Sequence, residues 1–445
     1  MQIIPVDASD LGNRSYVVTD GVRAIAIDPP RPASGALDAV RSRSLTLEVI
    51  VETHLHNDHV SGAPELAAAT GAIHAVCADE HVHGAHGLVA GETFWVGALC
   101  VEVVATPGHT RHHQSFVVSE GDDCAVFTGG SLLVGTVGRT DLLGADLAAG
   151  LAAEQWASVR RLLDGLPGDA VVHPTHGFGS FCSATVSQGT ETTIGAERQV
   201  NPAAQLDCDT FVTTLLAGFG EYPSYYTYMA ARNRTGCSAT DYRDPVPVLP
   251  AGDLADLARH MWIVDVRPRA PFAAAHVAGA INVGVDGPFA VYLGWTMPWE
   301  SRFALVGADE AELSRARRAL AHIGIDRPAG IAIPPPDVQS ARLRRATFAE
   351  LATEWTDDIT VIDVRRRDEW DSGHLEGAQH VPVHQLADAV VPDGPIWLHC
   401  AAGYRAVLGA SLLQRNGLEV VAIDDAWAAA DAAGLPKAAV ASAYR

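Results

Sequence analysis

Four side chains able to bind a metal fall within six residues of this chain: His54, His56, Asp58 and His59, in the stretch Thr53-His54-Leu55-His56-Asn57-Asp58-His59. Neutral imidazole and ionised carboxylate are the ordinary ligands of a borderline divalent metal, so this density predicts a metal centre rather than isolated structural histidines. Two later segments, Pro107-Gly108-His109-Thr110 and Pro174-Thr175-His176-Gly177, add His109 and His176 to the candidate ligands. A second chemistry is suggested by Cys400, which ends the apolar run Pro395-Ile396-Trp397-Leu398-His399 and precedes Ala401-Ala402-Gly403-Tyr404-Arg405. A thiol between a strand end and a helix start sits beneath backbone N–H groups. There the helix dipole and the charge of Arg405 favour thiolate over thiol. A third group, His81, His83 and His86, falls off these motifs among glycines and is read as a solvated loop.

The elements that must carry these residues are legible as apolar runs ending in polar ones. Val49–His54, Val101–Thr106, Ala125–Thr128 and Ala170–His173 all read as strands whose ends deliver loops to one site. Farther on the chain repeats itself. Ile263-Val264-Asp265-Val266-Arg267 with His276-Val277-Ala278-Gly279-Ala280 is echoed by Ile362-Asp363-Val364-Arg365 with His374-Leu375-Glu376-Gly377-Ala378, an offset of 98 residues. The offset between Gly324 and Gly417 is 93, so the first copy holds five extra residues, assigned to the stretch Gly284–Trp299. That shift puts Gly307 opposite Cys400 and Glu312 opposite Arg405. Prolines at 245 and 247 and at 334–336 punctuate the boundaries. The expected domains are 1–240, 245–335 and 345–445.

With 445 residues the chain is too long for a single core, and its 48% hydrophobic and 19% charged residues suit folded domains. A net charge of −22 repels nucleic acid and anionic membrane surfaces, so neither is an expected partner. No apolar run approaches the roughly 18 residues of a span, and the N-terminus lacks a basic region followed by an apolar one; a cytoplasmic protein is expected. The seven cysteines include no C-x-x-C pair, which predicts reduced thiols. Oligomeric state is not encoded in any of these features; a homo-oligomer is compatible with them.

The motifs T-H-x-H-x-D-H, P-G-H-T and a late H-G resemble the metallo-β-lactamase superfamily over essentially the whole first domain. The resemblance implies an αββα sandwich, with His54, His56 and His109 at one metal position and Asp58, His59 and His176 at a second. Val137-Gly138-Arg139-Thr140-Asp141-Leu142 and Gly179-Ser180-Phe181-Cys182 resemble the persulfide dioxygenase branch, which holds a single Fe(II) by two histidines and an aspartate. The histidines map onto His54 and His109. The aspartate of a Phe-Thr-Gly-Asp motif is replaced here by Gly130. Weakened iron binding is therefore expected, with Asp58 as a compensating carboxylate and Gly130→Asp expected to complete the triad.

Cys400, the C-x4-R spacing and the upstream Asp363 and His374 motifs resemble an active rhodanese, whose loop is one residue shorter than that of phosphatases of related shape. The first copy resembles a rhodanese homology domain without the catalytic groups, serving as spacer or docking surface. The fold class expected is therefore α/β multidomain, a metallo-β-lactamase sandwich followed by two rhodanese-like domains, and the whole order resembles persulfide dioxygenase–sulfurtransferase fusions. It implies an enzyme that oxidises a low-molecular-weight thiol persulfide such as glutathione persulfide at iron and transfers sulfur through Cys400, with sulfite and thiosulfate as partners. Cys182 is a candidate sulfur relay or a structural thiol. Two rivals stand beside this reading: a dinuclear zinc hydrolase of thioesters resembling glyoxalase II, kept alive by Gly130, and a non-enzymatic metal-domain scaffold.

Overall fold

The computed structural model describes residues 1–445 apart from 186, 188, 237–240, 357, 393 and 439–445; Cys237 lies outside the described residues. The chain forms two compact units, Met1–Ala239 with Ala321–Gly324, and Thr240–Leu320 with Ile325–Arg445.

The first unit holds two six-stranded sheets. One runs in sequence order: β1 (Gln2–Ala8), β2 (Asn13–Thr19), β3 (Arg23–Ile27), β4 (Thr46–Val51), β5 (Ile73–Cys77) and β6 (His86–Leu88). The other contains β7 (Thr93–Val96), β8 (Leu99–Ala105), β9 (Gln114–Glu120) and β10 (Asp123–Gly129). A ribbon of β11 (Leu132–Leu133) and β12 (Thr136–Val137) follows, before β13 (Val171–Pro174) and β14 (Thr192–Thr193) complete the second sheet in the order β14-β13-β10-β9-β8-β7. Side chains alternate faces along each strand. In β10, Ala125 and Phe127 enter a core that also takes Ile25, Ile27 and Val51 from the first sheet, whereas Val126 packs with Val159 and Leu162 of the helix Ala145–Gly165. The helices Ser34–Ser42 and Ala63–Thr70 cover the first sheet's other face through Ala36, Val40 and Leu66. Helix, sheet, sheet and helix thus stack in four layers. β4, β8, β10 and β13 end where the sequence places its polar loops.

The second unit carries two parallel sheets. One has the order β16-β15-β17-β18, from β15 (Trp262–Asp265), β16 (Ile281–Asn282), β17 (Phe303–Val306) and β18 (Gly330–Ala332). The other has the order β19-β23-β22-β20-β21, from β19 (Arg344–Ala346), β20 (Thr360–Asp363), β21 (Gln379–His380), β22 (Ile396–His399) and β23 (Val420–Ile423). The sequence repeat is thus a repeat of topology, and its shared residues are structural. Arg267 and Arg365 each clasp the aspartate two residues earlier, at 2.5 and 2.7 Å, while His276 stacks on Phe272 and His374 on Trp370. The helix Phe289–Thr296 lies within the stretch assigned the five extra residues.

Candidate functional sites

At the end of β4, His54 and His56 alternate with Leu55, and the loop is pinned from behind by Asn233, whose amide donates to the carbonyls of His56 and His59 at 2.9 Å each. Nitrogens of His54, His109 and His176 approach one another within 4.8 Å, and all three side chains are fully buried. Their Nδ1 atoms are occupied: that of His54 by Thr53 Oγ1 at 2.9 Å, that of His109 by the Arg139 carbonyl at 2.7 Å, and that of His176 by Asn13 Oδ1 at 2.9 Å. The three Nε2 atoms are thereby turned toward a common point, with 3.3 Å between those of His54 and His176. His109 Nε2 has no hydrogen-bond partner. A buried nitrogen left unpaired beside two other converging imidazole nitrogens fits a divalent cation.

A second set joins His56, Asp58 and His176. The grouping differs from the one the resemblance implied: His56 falls with Asp58, and His176 belongs to both sets. His59 turns Nδ1 to Asp58 Oδ1 at 3.0 Å and leaves Nε2 unpaired, while His56 Nε2 lies 3.3 Å from Asp28. Burial first, and then the neighbouring imidazoles, hold His109 and His176 neutral, lowered to about 4 and about 3, whereas His56 is raised because Asp28 and Asp58 outweigh its burial. His54 and His113 fall well below the ordinary value for the same first reason. Burial alone would raise Asp58, but His176 and His59 outweigh it and keep the carboxyl far below its usual range. Neutral rings and an ionised carboxylate are the ligand-competent forms.

Position 130 lacks room for a side chain, which the sequence did not reveal. A Cβ at Gly130 would stand 2.2 Å from His109 Cδ2, and one at Gly138 would stand 2.0 Å from the Gly130 carbonyl. The two glycines let backbone approach the ring that Arg139 orients. Gly130→Asp therefore cannot complete the expected triad while His109 keeps its place; the third converging group is His176.

Three further residues escaped the sequence reading. Asn13 bridges the site, donating to Asp58 Oδ2 at 2.6 Å while its carbonyl oxygen faces His176. Asp28 accepts from the Thr53 amide and hydroxyl, both at 2.7 Å. His113 accepts from Gly130 N–H at 3.0 Å and stacks against His54. None belongs to a local pattern, although Asp28 ends a strand as the ligands do. Cys182 is fully buried, and burial raises its thiol well above the ordinary range, an environment for a structural thiol rather than a sulfur carrier. His81, His83 and His86 are all exposed, the last of them opening β6.

In the second unit Cys400 follows β22 directly, and the helix Tyr404–Arg415 opens behind it. The Gly403 N–H points at Cys400 Sγ from 3.1 Å. Gly403 adopts φ +87°, and a Cβ there would meet Asp424, so the loop requires glycine. Arg405 is held by Glu369 through both terminal nitrogens, at 2.5 and 2.8 Å, an anchor the sequence reading missed. The other copy reaches this loop: Arg269 binds Asp424 at 2.6 Å and the Ala402 carbonyl at 3.3 Å, and the Tyr404 hydroxyl donates to the Gly284 carbonyl at 2.8 Å. In that copy Glu312 folds back to accept from the Ala308 N–H at 2.8 Å, so a carboxylate occupies the loop beside Gly307.

A family model of the metallo-beta-lactamase superfamily matches residues 9–176, and one of the rhodanese-like domain matches residues 347–433. Among curated proteins, human mitochondrial persulfide dioxygenase ETHE1 is 30% identical over 201 residues, covering 42% of this chain and 69% of that protein. Hydroxyacylglutathione hydrolase of Tolumonas auensis is 30% identical over 231 residues, covering 48% of this chain and 81% of that protein. Among solved structures, a metallo-beta-lactamase from Staphylococcus aureus superposes with TM-score 0.68 at 24% identity, covering 75% of this chain and 99% of that one, a likeness of fold. The chain therefore belongs to the metallo-beta-lactamase superfamily, has persulfide dioxygenases among its relatives, and carries a rhodanese-like domain C-terminal to its metal-type domain.

Proposed function

We propose that this enzyme oxidises a low-molecular-weight persulfide such as glutathione persulfide in its first unit and moves sulfane sulfur through Cys400 in its second. The observation that carries the first half is the convergence of His54, His109 and His176, their Nδ1 atoms tied from outside and the Nε2 of His109 left without a partner. They would hold Fe(II), which when bound supplies dioxygen activation. The rest falls to the protein: Thr53, Arg139 and Asn13 fix the rings, and burial keeps them neutral. Persulfide, dioxygen and water balance to thiol and sulfite.

In the second half, the Cys400 thiolate attacks the outer sulfur of thiosulfate; the S–S bond breaks to release sulfite, and the sulfur remains on Cys400 until an acceptor removes it. The Gly403 N–H steadies the charge on Sγ, and Arg405, fixed by Glu369, faces the anionic donor. Run in reverse, this step joins the first unit's sulfite to sulfane sulfur as thiosulfate. Residues 245–335 are the non-catalytic copy: Gly307 offers no thiol and Glu312 would repel an anion. The setting proposed is cytoplasmic; among the described residues no helix is long and apolar enough to cross a membrane.

His56, Asp58 and His176 give a specific basis for a second reading, a dinuclear zinc thioester hydrolase like the hydroxyacylglutathione hydrolases. Reconstitution with Fe(II) should produce persulfide-dependent oxygen uptake. About two zinc per chain with thioester cleavage and no oxygen uptake would replace the dioxygenase by the hydrolase. Separately, Cys400→Ser should reduce sulfur transfer from thiosulfate to cyanide below about 1% of the starting rate; retained turnover would sink the Cys400 assignment.

A further inference from the structure

Outside the two sites described, one group of side chains among the described residues combines three donor types. Cys77 closes β5, Asp79 stands two residues on in the turn Ala78–Glu80, and His112 lies in the segment between β8 and β9. One sulfur, one carboxylate oxygen and one imidazole nitrogen from these residues all lie within 4.8 Å of one another. The thiol is free and almost covered, His112 is half-buried and Asp79 is exposed, so the group is open on one side.

The three residues line a cavity of about 260 Å³ together with Arg111, His113 and Gln114. Gln114 supplies an independent sign of a ligand. Its side chain is 3% exposed and its amide nitrogen donates to the Leu88 carbonyl, yet its Oε1 is buried with no partner. A buried acceptor left unsatisfied in the wall of this cavity calls for a donor that the protein does not provide.

We propose that Cys77, Asp79 and His112 form a second metal site for a borderline-to-soft divalent cation of the zinc type, distinct from the histidine cluster. Thiolate, imidazole and carboxylate in one tetrahedral set suit such an ion, with bond lengths of about 2.0–2.3 Å. Donors that close to an ion lie within about 4 Å of one another, so this group needs to contract by only about 1 Å. The fourth position takes a water from the open side of the group. Binding releases the thiol proton to solvent and leaves the sulfur as thiolate. The site would clamp the turn after β5 to the segment carrying His109 and His113.

Cobalt(II) separates the two sites spectroscopically, because the histidine cluster offers only nitrogen and oxygen donors whereas this one offers sulfur. Titration of the full-length protein with Co(II) should develop a thiolate-to-cobalt charge-transfer band in the near ultraviolet. Cys77→Ser should abolish the band and lower bound cobalt by one equivalent per chain. His112→Gln, which changes a half-buried loop residue and spares the core, should weaken Co(II) binding at the band by more than about tenfold. Circular dichroism would verify that each variant is folded. No band in the unmodified protein, or a band unchanged in Cys77→Ser or in His112→Gln, overturns the proposal.

Discussion

His109 shows how much of this chemistry turns on single atoms. Its ring is fixed by a backbone carbonyl on one side and by the absence of two β-carbons on the other, at Gly130 and Gly138. Even one methyl group at 130 must displace the ring or the backbone. Gly130→Ala is therefore expected to lower metal occupancy and to destabilise the first unit by about 1–3 kcal/mol, read by elemental analysis and thermal unfolding; unchanged values in both would show that the ring has room to move. Glu369 makes the same point at Cys400. Arg405 lowers the Glu369 carboxyl against the opposing effect of burial, so the pair is ionised and the guanidinium is held in one place. A paired arginine presents a directed donor array more than a bare positive charge.

At the scale of elements, positions in both units are fixed by segments that carry none of the reacting groups. β2 begins at Asn13, which binds Asp58 and His176 from two different loops. Asn13→Ala should weaken metal binding roughly 10- to 100-fold while leaving the fold intact, and competition with a chelator would measure it; an unaltered affinity would mean that the rings hold their orientation unaided. In the second unit the short helix Arg269–Ala274 brings Arg269 from the first copy to Asp424 and Ala402 of the second. Arg269 is about one-third exposed, so solvent screens part of its attraction. Its replacement by alanine should lower kcat/KM for sulfur transfer roughly fivefold, about 1 kcal/mol, with little change in Tm. Equal kinetics would reduce the first copy to a spacer.

For the whole molecule the net charge of −22 sets an unfavourable long-range field for anions, and the arginines near Cys400 are themselves paired, Arg405 with Glu369 and Arg269 and Arg345 with Asp424. The buried histidines link stability to pH. Burial lowers His109 to about 4 and His176 to about 3, so above the unfolded value near 6.5 they are neutral in both states and cost nothing. As pH falls below 6.5 the unfolded chain takes up protons that the folded one refuses, and stability is lost progressively until the folded values are reached. For His109 alone the loss approaches about 3 kcal/mol by pH 4. Metal-free protein should thus show a falling Tm in calorimetry between pH 6.5 and 4, and a flat profile there would contradict the burial of neutral rings.

Sequence determined which donors exist and which strand ends carry them, because His54, His56, Asp58 and His59 share one loop and β4, β8, β10 and β13 declare themselves by local apolar runs. It determined the tandem repeat as well, since Asp265 and Asp363 occupy equivalent strand ends. Tertiary structure alone decided which nitrogen of each ring is tied, which histidines share a centre, and that a side chain at 130 would meet His109. Those outcomes depend on contacts such as Asn13 with His176, 163 residues apart, and Arg405 with Glu369, 36 apart. Periodicity reports the face a residue occupies within its own element. It carries no information about a polar partner brought in by chain folding, because a single asparagine or glutamate that satisfies a buried group leaves no repeating trace in the sequence.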